Sequence, residues 1–184
     1  ADINGEAADD LSGGSVSLSS DGSVVAIGAQ YNDGNSTDAG HVRLYAWDGS
    51  SWTQRGTDID GEAAGDRSGR SVSLSSDGSV VAVGAPSGLV NSNGPDAGHV
   101  RLYAWDGSSW TQRGADIDAE ADGDLSGTSV SLSSDGSVVA IGASRNDGNG
   151  ANAGHVRLYA WDGSNWMQRG ADIDGEAAGD YSGY

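Results

Sequence analysis

The sequence has 184 residues and a formal net charge of −18, because 27 acidic residues stand against nine basic ones, all of them arginine. This charge repels phosphate backbones and anionic lipid surfaces, so we expect no nucleic-acid partner. No apolar run approaches the roughly 20 residues of a membrane span, so we also expect no membrane insertion. Cysteine is absent, which excludes stabilisation by disulfides.

A long internal repeat organises the chain. His41, His99 and His155 occupy equivalent places, 58 and then 56 residues apart. Near-copies of the segment that begins "DIDGEAAGD" open each unit. The predicted units are therefore 2–57, 58–115 and 116–171, with residues 172–184 as the start of a fourth.

The first two predicted elements of a unit form a hairpin. In the first unit, "SVSLSS" from Ser15 alternates apolar and small polar residues, as a strand with one buried face does. Asp21 and Gly22 follow and predict a tight two-residue turn with positive φ at both positions. The next run, "SVVAIGA", is apolar on both faces, so we expect a strand that is buried on both sides.

The next two predicted elements form a second hairpin. The run "HVRLYAWDG" from His41 places Val42 and Leu44 on one side of a strand and Tyr45 on the other. A second Asp-Gly pair then predicts a tight turn into the fourth run, "SWTQRGTDI". No helix signal appears in any unit.

These elements predict an all-β fold of three tandem four-stranded antiparallel β-propeller-type blades. A β-solenoid is the alternative, but its coils are usually shorter and lack two Asp-Gly hairpins per period. A propeller usually needs four to eight blades to close, so three should be completed by others. We expect self-association into a closed ring or a head-to-tail filament, unless the chain is part of a longer array.

The repeat resembles the FG-GAP repeat, whose units build the β-propeller of integrin α-subunits and of many bacterial and algal extracellular proteins. Ser-Gly pairs such as Ser68-Gly69 stand where the family has Phe-Gly, and "VGAP" from Val83 stands where it has Gly-Ala-Pro. The resemblance spans nearly the whole chain and implies an extracellular or cell-surface location. Integrin blades carry an Asp-rich calcium loop between their first two strands. The short "SSDGS" connection from Ser75 resembles instead the branch without that loop.

The connection from the fourth run to the next unit is strongly acidic. Its four copies hold 17 of the 27 acidic residues. The pattern D-x-D-G-E-x-x-x-D offers calcium several hard oxygens, which makes calcium the candidate cofactor. The alternative is a solvated acidic loop in which Asp66 and its equivalents hold turn amides. The candidate calcium ligands are Asp58, Asp60, Glu62, Asp66, Asp116, Asp118, Glu120, Asp124, Asp172, Asp174, Glu176 and Asp180.

A second connection, between the second and third runs, differs most among the units. In a propeller it emerges on the same rim as the acidic connection, and variable loops on a rigid scaffold commonly bind ligands. Loops that simply tolerate change are the alternative. The candidate binding-face residues are Tyr31, Asn32, Asp33, Asp38, Asn91, Asn93, Asp96, Asn146 and Asp147.

The remaining chemistry-bearing residues recur once per unit. The three histidines would lie far apart around a ring, and no Ser-His-Asp or paired-carboxylate arrangement is evident, so we expect no enzyme. The tryptophans either pack between a hairpin and the neighbouring blade or stack on sugars. They form the pairs Trp47/Trp52, Trp105/Trp110 and Trp161/Trp166.

The sequence thus predicts an extracellular, non-enzymatic structural or adhesive repeat module that assembles through blade–blade contacts, with calcium as its candidate stabilising ion. The alternative is a lectin-like propeller that binds a protein or glycan ligand with the variable loops of one face.

Overall fold

The structure, a computed structural model, describes residues 2–87 and 97–184. These residues form three antiparallel sheets that follow one another along the chain. No helix occurs among them, and so none that could cross a membrane.

Each sheet has four strands in chain order and a short fifth strand. The first blade contains β1 (Ser15–Leu18), β2 (Val24–Ala29), β3 (His41–Trp47), β4 (Trp52–Gln54) and β5 (Ile59–Asp60). The second contains β6 (Ser71–Leu74), β7 (Val80–Ala85), β8 (His99–Trp105), β9 (Trp110–Gln112) and β10 (Ile117–Asp118). The third contains β11 (Ser126–Leu132), β12 (Val138–Ala143), β13 (His155–Trp161), β14 (Trp166–Gln168) and β15 (Ile173–Asp174). The prediction of an all-β fold with four-stranded antiparallel blades is confirmed.

The fifth strand comes from the acidic connection and completes the blade that precedes it. In the first blade, Ile59 and Asp60 pair with Val42 and His41 of β3, next to the pairing of β3 with β4. Residues 172–184 do the same for the third blade, where Ile173 pairs with Val156 of β13. The segment predicted to open a fourth unit therefore lies on the third blade.

The first Asp-Gly turn differs from its prediction. In the turn after β1, the amide of Gly22 donates to the carbonyl of Ser19 at 3.0 Å, and Gly22 has a φ of 72°. Asp21 does not have a positive φ. Its carboxylate instead accepts hydrogen bonds from the Ser19 hydroxyl and from the amide and hydroxyl of Ser23. The observed turn is longer than two residues, because Ser19 and Ser23 on either side of Asp21 donate hydrogen bonds to its carboxylate.

The core lies between the blades. Two clusters of buried apolar side chains form, one between the first and second blades and one between the second and third. Glycine allows the main chains of neighbouring blades to meet: a side chain on Gly84 of β7 would collide with the carbonyl oxygen of Gly127 in the next unit. The equivalent pairs are Gly28 with Gly69 and Gly142 with Gly183. The glycine of the "VGA" segment is therefore explained by contact between blades.

Candidate functional site

Three clusters of one histidine and two carboxylates recur along the blades. The histidine is the first residue of the third strand of a blade, and the aspartate begins the acidic connection that follows. The glutamate comes from the preceding acidic connection. The clusters are Glu6/His41/Asp58, Glu62/His99/Asp116 and Glu120/His155/Asp172, and within each the candidate ligand atoms lie within 4.8 Å of one another.

The imidazole faces both carboxylates without reaching either. His41 Nδ1 lies 3.7 Å from Asp58 Oδ2 and 3.8 Å from Glu6 Oε2. In the third cluster, His155 Nδ1 lies 3.8 Å from Asp172 Oδ2 and 4.0 Å from Glu120 Oε2. These separations exceed the 2.7–3.2 Å that is typical of a hydrogen bond.

The other oxygen of each carboxylate already has a partner. In the third cluster, Glu120 Oε1 lies 3.6 Å from a guanidinium nitrogen of Arg157. Asp172 Oδ1 accepts a hydrogen bond of 2.6 Å from the Gln168 amide. Arginine and glutamine occupy the same places in the other two clusters. One oxygen of each acid is thus held by the protein, and the other points towards the imidazole.

The histidines are buried, whereas the carboxylates reach solvent. His155 is 1 % exposed, but the Glu120 side chain is 46 % exposed. Among the described residues, the buried atoms without a hydrogen-bond partner include both ring nitrogens of His155 and Nε2 of His99. Buried polar atoms are normally satisfied, so the unpaired nitrogens of His155 require an explanation.

The predicted calcium ligands separate into three groups. Members of the clusters are Asp58, Glu62, Asp116, Glu120 and Asp172. Asp60, Asp118 and Asp174 belong to the short fifth strands, and Glu176 belongs to none of the clusters found among the described residues. Asp66, Asp124 and Asp180 accept amide hydrogen bonds within their own connection. The acids of one connection therefore do not gather around a single point, because the clusters combine acids from two successive connections.

Sequence reasoning missed Glu6 and the three histidines. Their signal was present, since each histidine recurs once per unit with an acidic segment on either side. The sequence does not show that β5 pairs with β3 at His41 and thereby brings Asp58 beside the histidine.

The last acid of each connection orders the rim. Asp124 is 3 % exposed and accepts hydrogen bonds from the Ala121 amide and from the side-chain amide of Asn146. Asp10 makes the equivalent bond to Asn32. These aspartates hold turn amides, as the alternative interpretation of the acidic loop describes, and they also tie the loop to the variable connection.

Several predicted binding-face residues are engaged within their loops. Asn32 and Asn146 are buried, at 5 % and 6 % exposed. Asp33 and Asp147 accept the amides of Asp38 and Asn152. The Arg67 guanidinium lies 5.4 Å from the centre of the Tyr31 ring. Asn91, Asn93 and Asp96 lie outside the described residues.

Two of the three tryptophan pairs pack between blades. Trp105 and Trp110 of the second blade lie 5.4 Å apart, and the Arg55 guanidinium of the first blade lies over both rings. Trp110 Nε1 donates a 2.7 Å hydrogen bond to the Arg55 carbonyl. Arg113 and the pair Trp161/Trp166 repeat this arrangement one blade further along.

No known family matches this sequence, and no curated protein matches it either. Solved structures that resemble its fold include the following three. A candidate 6-phosphogluconolactonase from Bacteroides fragilis matches 86% of this chain and 38% of its own, at 11% identity and a TM-score of 0.58. The hydrazine synthase of Kuenenia stuttgartiensis matches 96% of this chain and 42% of its own, at 13% identity and a TM-score of 0.54. Sqt1 of Saccharomyces cerevisiae matches 88% of this chain and 35% of its own, at 14% identity and a TM-score of 0.52.

The fold is that of β-propeller blades. At these identities the likeness concerns the fold alone, and the chain spans only 38%, 42% and 35% of those structures' lengths. The FG-GAP resemblance and the expectation that the chain is not an enzyme stay predictions. Two of these structures carry an enzyme's name, but at 11% and 13% identity the likeness shows the fold alone.

Proposed function

We propose that this protein is a non-enzymatic structural module that binds further copies of itself head to tail, blade against blade. The observation that supports this is the repetition of one interface. The blade-to-blade contact occurs twice inside the chain, and its two halves are left exposed at the two ends of the stack.

One half of the interface is apolar and belongs to the first four strands of the incoming blade. In the second blade it includes Val72, Leu74, Val81, Val83, Tyr103 and Trp110. The other half is the opposite face of the preceding blade. In the first blade it includes Val24, Ala26, Val42, Leu44 and Ile59.

Equivalent residues lose this cover at the ends. Leu74 is 7 % exposed within the stack, whereas Leu18 in the first blade is 59 % exposed and Val16 beside it 63 %. At the other end, Ile173 is 57 % exposed, whereas its equivalent Ile59 is 4 % exposed. Burial of exposed apolar surface is favourable at about 25 cal/mol per Å², so these two faces favour contact with each other.

One segment must leave to make such a joint. Residues 2–14 contact the first blade as residues 58–70 contact the second, and residues 172–184 complete the third blade as residues 58–70 complete the first. Where two chains meet, residues 172–184 of one chain and residues 2–14 of the next would occupy the same position between the blades. Residues 172–184 are held to the third blade by strand pairing and by main-chain hydrogen bonds from Gly175, Gly179, Tyr181 and Ser182. Within the described chain, residues 2–9 make no main-chain hydrogen bond to another backbone segment. We therefore expect residues 2–9 to be displaced.

The number of blades favours a pair of chains. Propellers close with about four to eight blades, so two chains give a permitted ring of six, whereas three would give nine. The expected particle has twice the chain mass of 18.5 kDa, about 37 kDa.

Light scattering over a range of concentrations tests the proposal. We expect mass to rise towards about 37 kDa, and a variant lacking residues 2–9 to reach it at lower concentration. Ile173→Asp should suppress the pair. The control Thr111→Asp, at an exposed site on β9, should not. If both the full chain and the shortened variant stay at the single-chain mass, the proposal is wrong.

The adhesive role and the extracellular or cell-surface location belong to the same proposal. They are supported by the FG-GAP resemblance and by the high negative charge, which keeps a protein soluble.

A further inference from the structure

We propose that His155, Glu120 and Asp172 form a binding site for a divalent transition-metal cation, with Zn²⁺ as the ion of best fit, and that the other two blades repeat the site. This differs from the calcium hypothesis in its ligands and in its ion. The site formed by His155, Glu120 and Asp172 lies within one chain and outside residues 2–9, so it does not depend on assembly.

The buried histidine is the observation that points to a ligand. His155 is 1 % exposed, and neither of its ring nitrogens has a hydrogen-bond partner. Its Nδ1 is aimed at two carboxylate oxygens that come from different connections. A neutral imidazole offers one nitrogen lone pair, and histidine is the commonest metal ligand in proteins.

The spacing of the three atoms suits a small cation. Zinc binds histidine nitrogen and carboxylate oxygen at about 2.0–2.2 Å, so two ligands in tetrahedral geometry lie about 3.4 Å apart. The observed separations are 3.8 Å to Asp172 and 4.0 Å to Glu120. A shift of a few tenths of an ångström would close the site, and the exposed Glu120 side chain has the freedom to make it.

A direct ion pair explains the geometry less well. A protonated imidazole that donated to a carboxylate would stand at about 2.7–2.9 Å from it. Both oxygens stay about 1 Å beyond that distance, so neither contacts the nitrogen directly, and the three atoms lie within 4.8 Å of one another.

The nitrogen ligand selects against calcium. Calcium takes six to eight oxygen ligands, whereas imidazole together with carboxylate suits zinc and its neighbours. Among the residues that the structure describes, two acids converge on the histidine, and solvent reaches the site past Glu120 and Asp172, which are 46 % and 26 % exposed. Water can therefore supply the fourth ligand of a tetrahedral zinc ion.

The surrounding residues behave as an outer shell. Arg157 holds the far oxygen of Glu120, and Gln168 holds the far oxygen of Asp172. Such contacts orient the side chains that bind the metal and commonly affect metal affinity by 10–100-fold. Their recurrence in all three blades gives each site the same orientation.

Zinc titration of chelator-treated full-length protein by calorimetry tests the proposal. We expect up to three Zn²⁺ per chain, one for each cluster. Glu120→Gln should remove one of them, or weaken it at least tenfold. The matched control is Asp122→Asn, an exposed acid two residues away that belongs to no cluster. It should leave the number and affinity unchanged, and excess Ca²⁺ should not displace the zinc.

Equal losses in the Glu120 and Asp122 variants would show general attraction of Zn²⁺ to an acidic surface and would overturn the site. Absence of Zn²⁺ binding would also overturn the site, and the ring nitrogens of His155 would remain without partners. Thermal unfolding gives a second measurement, because a ligand that binds only the folded state raises Tm as its concentration rises. Zinc should raise the Tm of the parent chain more than that of Glu120→Gln. Light scattering of the same samples separates this result from the failure or success of head-to-tail assembly.

Discussion

The indole nitrogen of Trp110 donates a 2.7 Å hydrogen bond to the main-chain carbonyl of Arg55, 55 residues away in the preceding blade. The guanidinium of the same Arg55 lies 4.8 Å from the centre of the Trp105 ring. One arginine therefore meets its neighbour through both its backbone and its side chain. This contact joins the first and second blades beside their shared apolar cluster, against which Trp110 packs.

Trp110→Phe should lower the free energy of unfolding by about 1–2 kcal/mol, because a half-buried carbonyl loses its partner. Trp52→Phe is the matched control, since Trp52 occupies the same place in the first blade and has no preceding blade. Its effect should stay within about 0.5 kcal/mol. Urea unfolding followed by circular dichroism measures both. Equal losses would show that the bond between blades is unimportant.

Gly84→Ala should destabilise the fold by about 3 kcal/mol. The added methyl group would overlap the Gly127 carbonyl oxygen of the next unit, and two packed main chains have little room to move. Gly14→Ala is the comparison, because its methyl group would meet only the Leu11 carbonyl, at 3.1 Å. Thermal and urea unfolding of the two variants measure the difference. A mild effect of Gly84→Ala would mean that the blades separate easily.

Asp124→Ala should cost about 2–3 kcal/mol of stability. Its buried carboxylate accepts hydrogen bonds from the Ala121 amide and the Asn146 side chain, and bonds to a charged group are the stronger kind. The exposed neighbour Asp122→Ala should have little effect. Hydrogen exchange of residues 145–152 provides a local measurement. Faster exchange there in the Asp124 variant alone would confirm that this acid orders the variable connection.

Acid should weaken the hairpin turns. Hydrogen bonds from the Ser23 amide and the Ser19 and Ser23 hydroxyls lower the pKa of Asp21 to about 2, and the hydroxyls of Ser133 and Ser137 with the Ser137 amide do the same for Asp135. A lowered folded-state pKa stabilises the fold above the unfolded value of 3.8. That contribution is lost as pH falls through about 2.

The double variant Asp21→Asn/Asp135→Asn should therefore lose less stability than the parent chain between pH 4 and pH 2. Urea unfolding at a series of pH values measures the slopes. Identical slopes in the two proteins would mean that these carboxylates do not contribute to the acid sensitivity.

Local patterns in the sequence were sufficient to predict the strands. The alternation in "SVSL" and the apolar run of "VVAIGA" depend only on neighbouring residues, and the structure places β1 and β2 there. Packing of the tryptophans between a hairpin and the neighbouring blade was one of two interpretations left open by the sequence, and Trp110 packs in that way. The local turn geometry was less accessible, because the serines around Asp21 changed the turn that the Asp-Gly pair favours.

The sequence by itself determined the three-fold repeat, the all-β class and the blade architecture, because strand periodicity and turn chemistry act over a few residues. Only the tertiary structure decided which acids meet. Asp172 reaches His155 because its connection folds back to add β15 to β13, and Glu120 arrives from the connection before. Along the chain, Glu120 lies 35 residues from His155 and 52 residues from Asp172. Whether such groups meet depends on how strands pair across a blade, and their spacing in the sequence does not show that pairing.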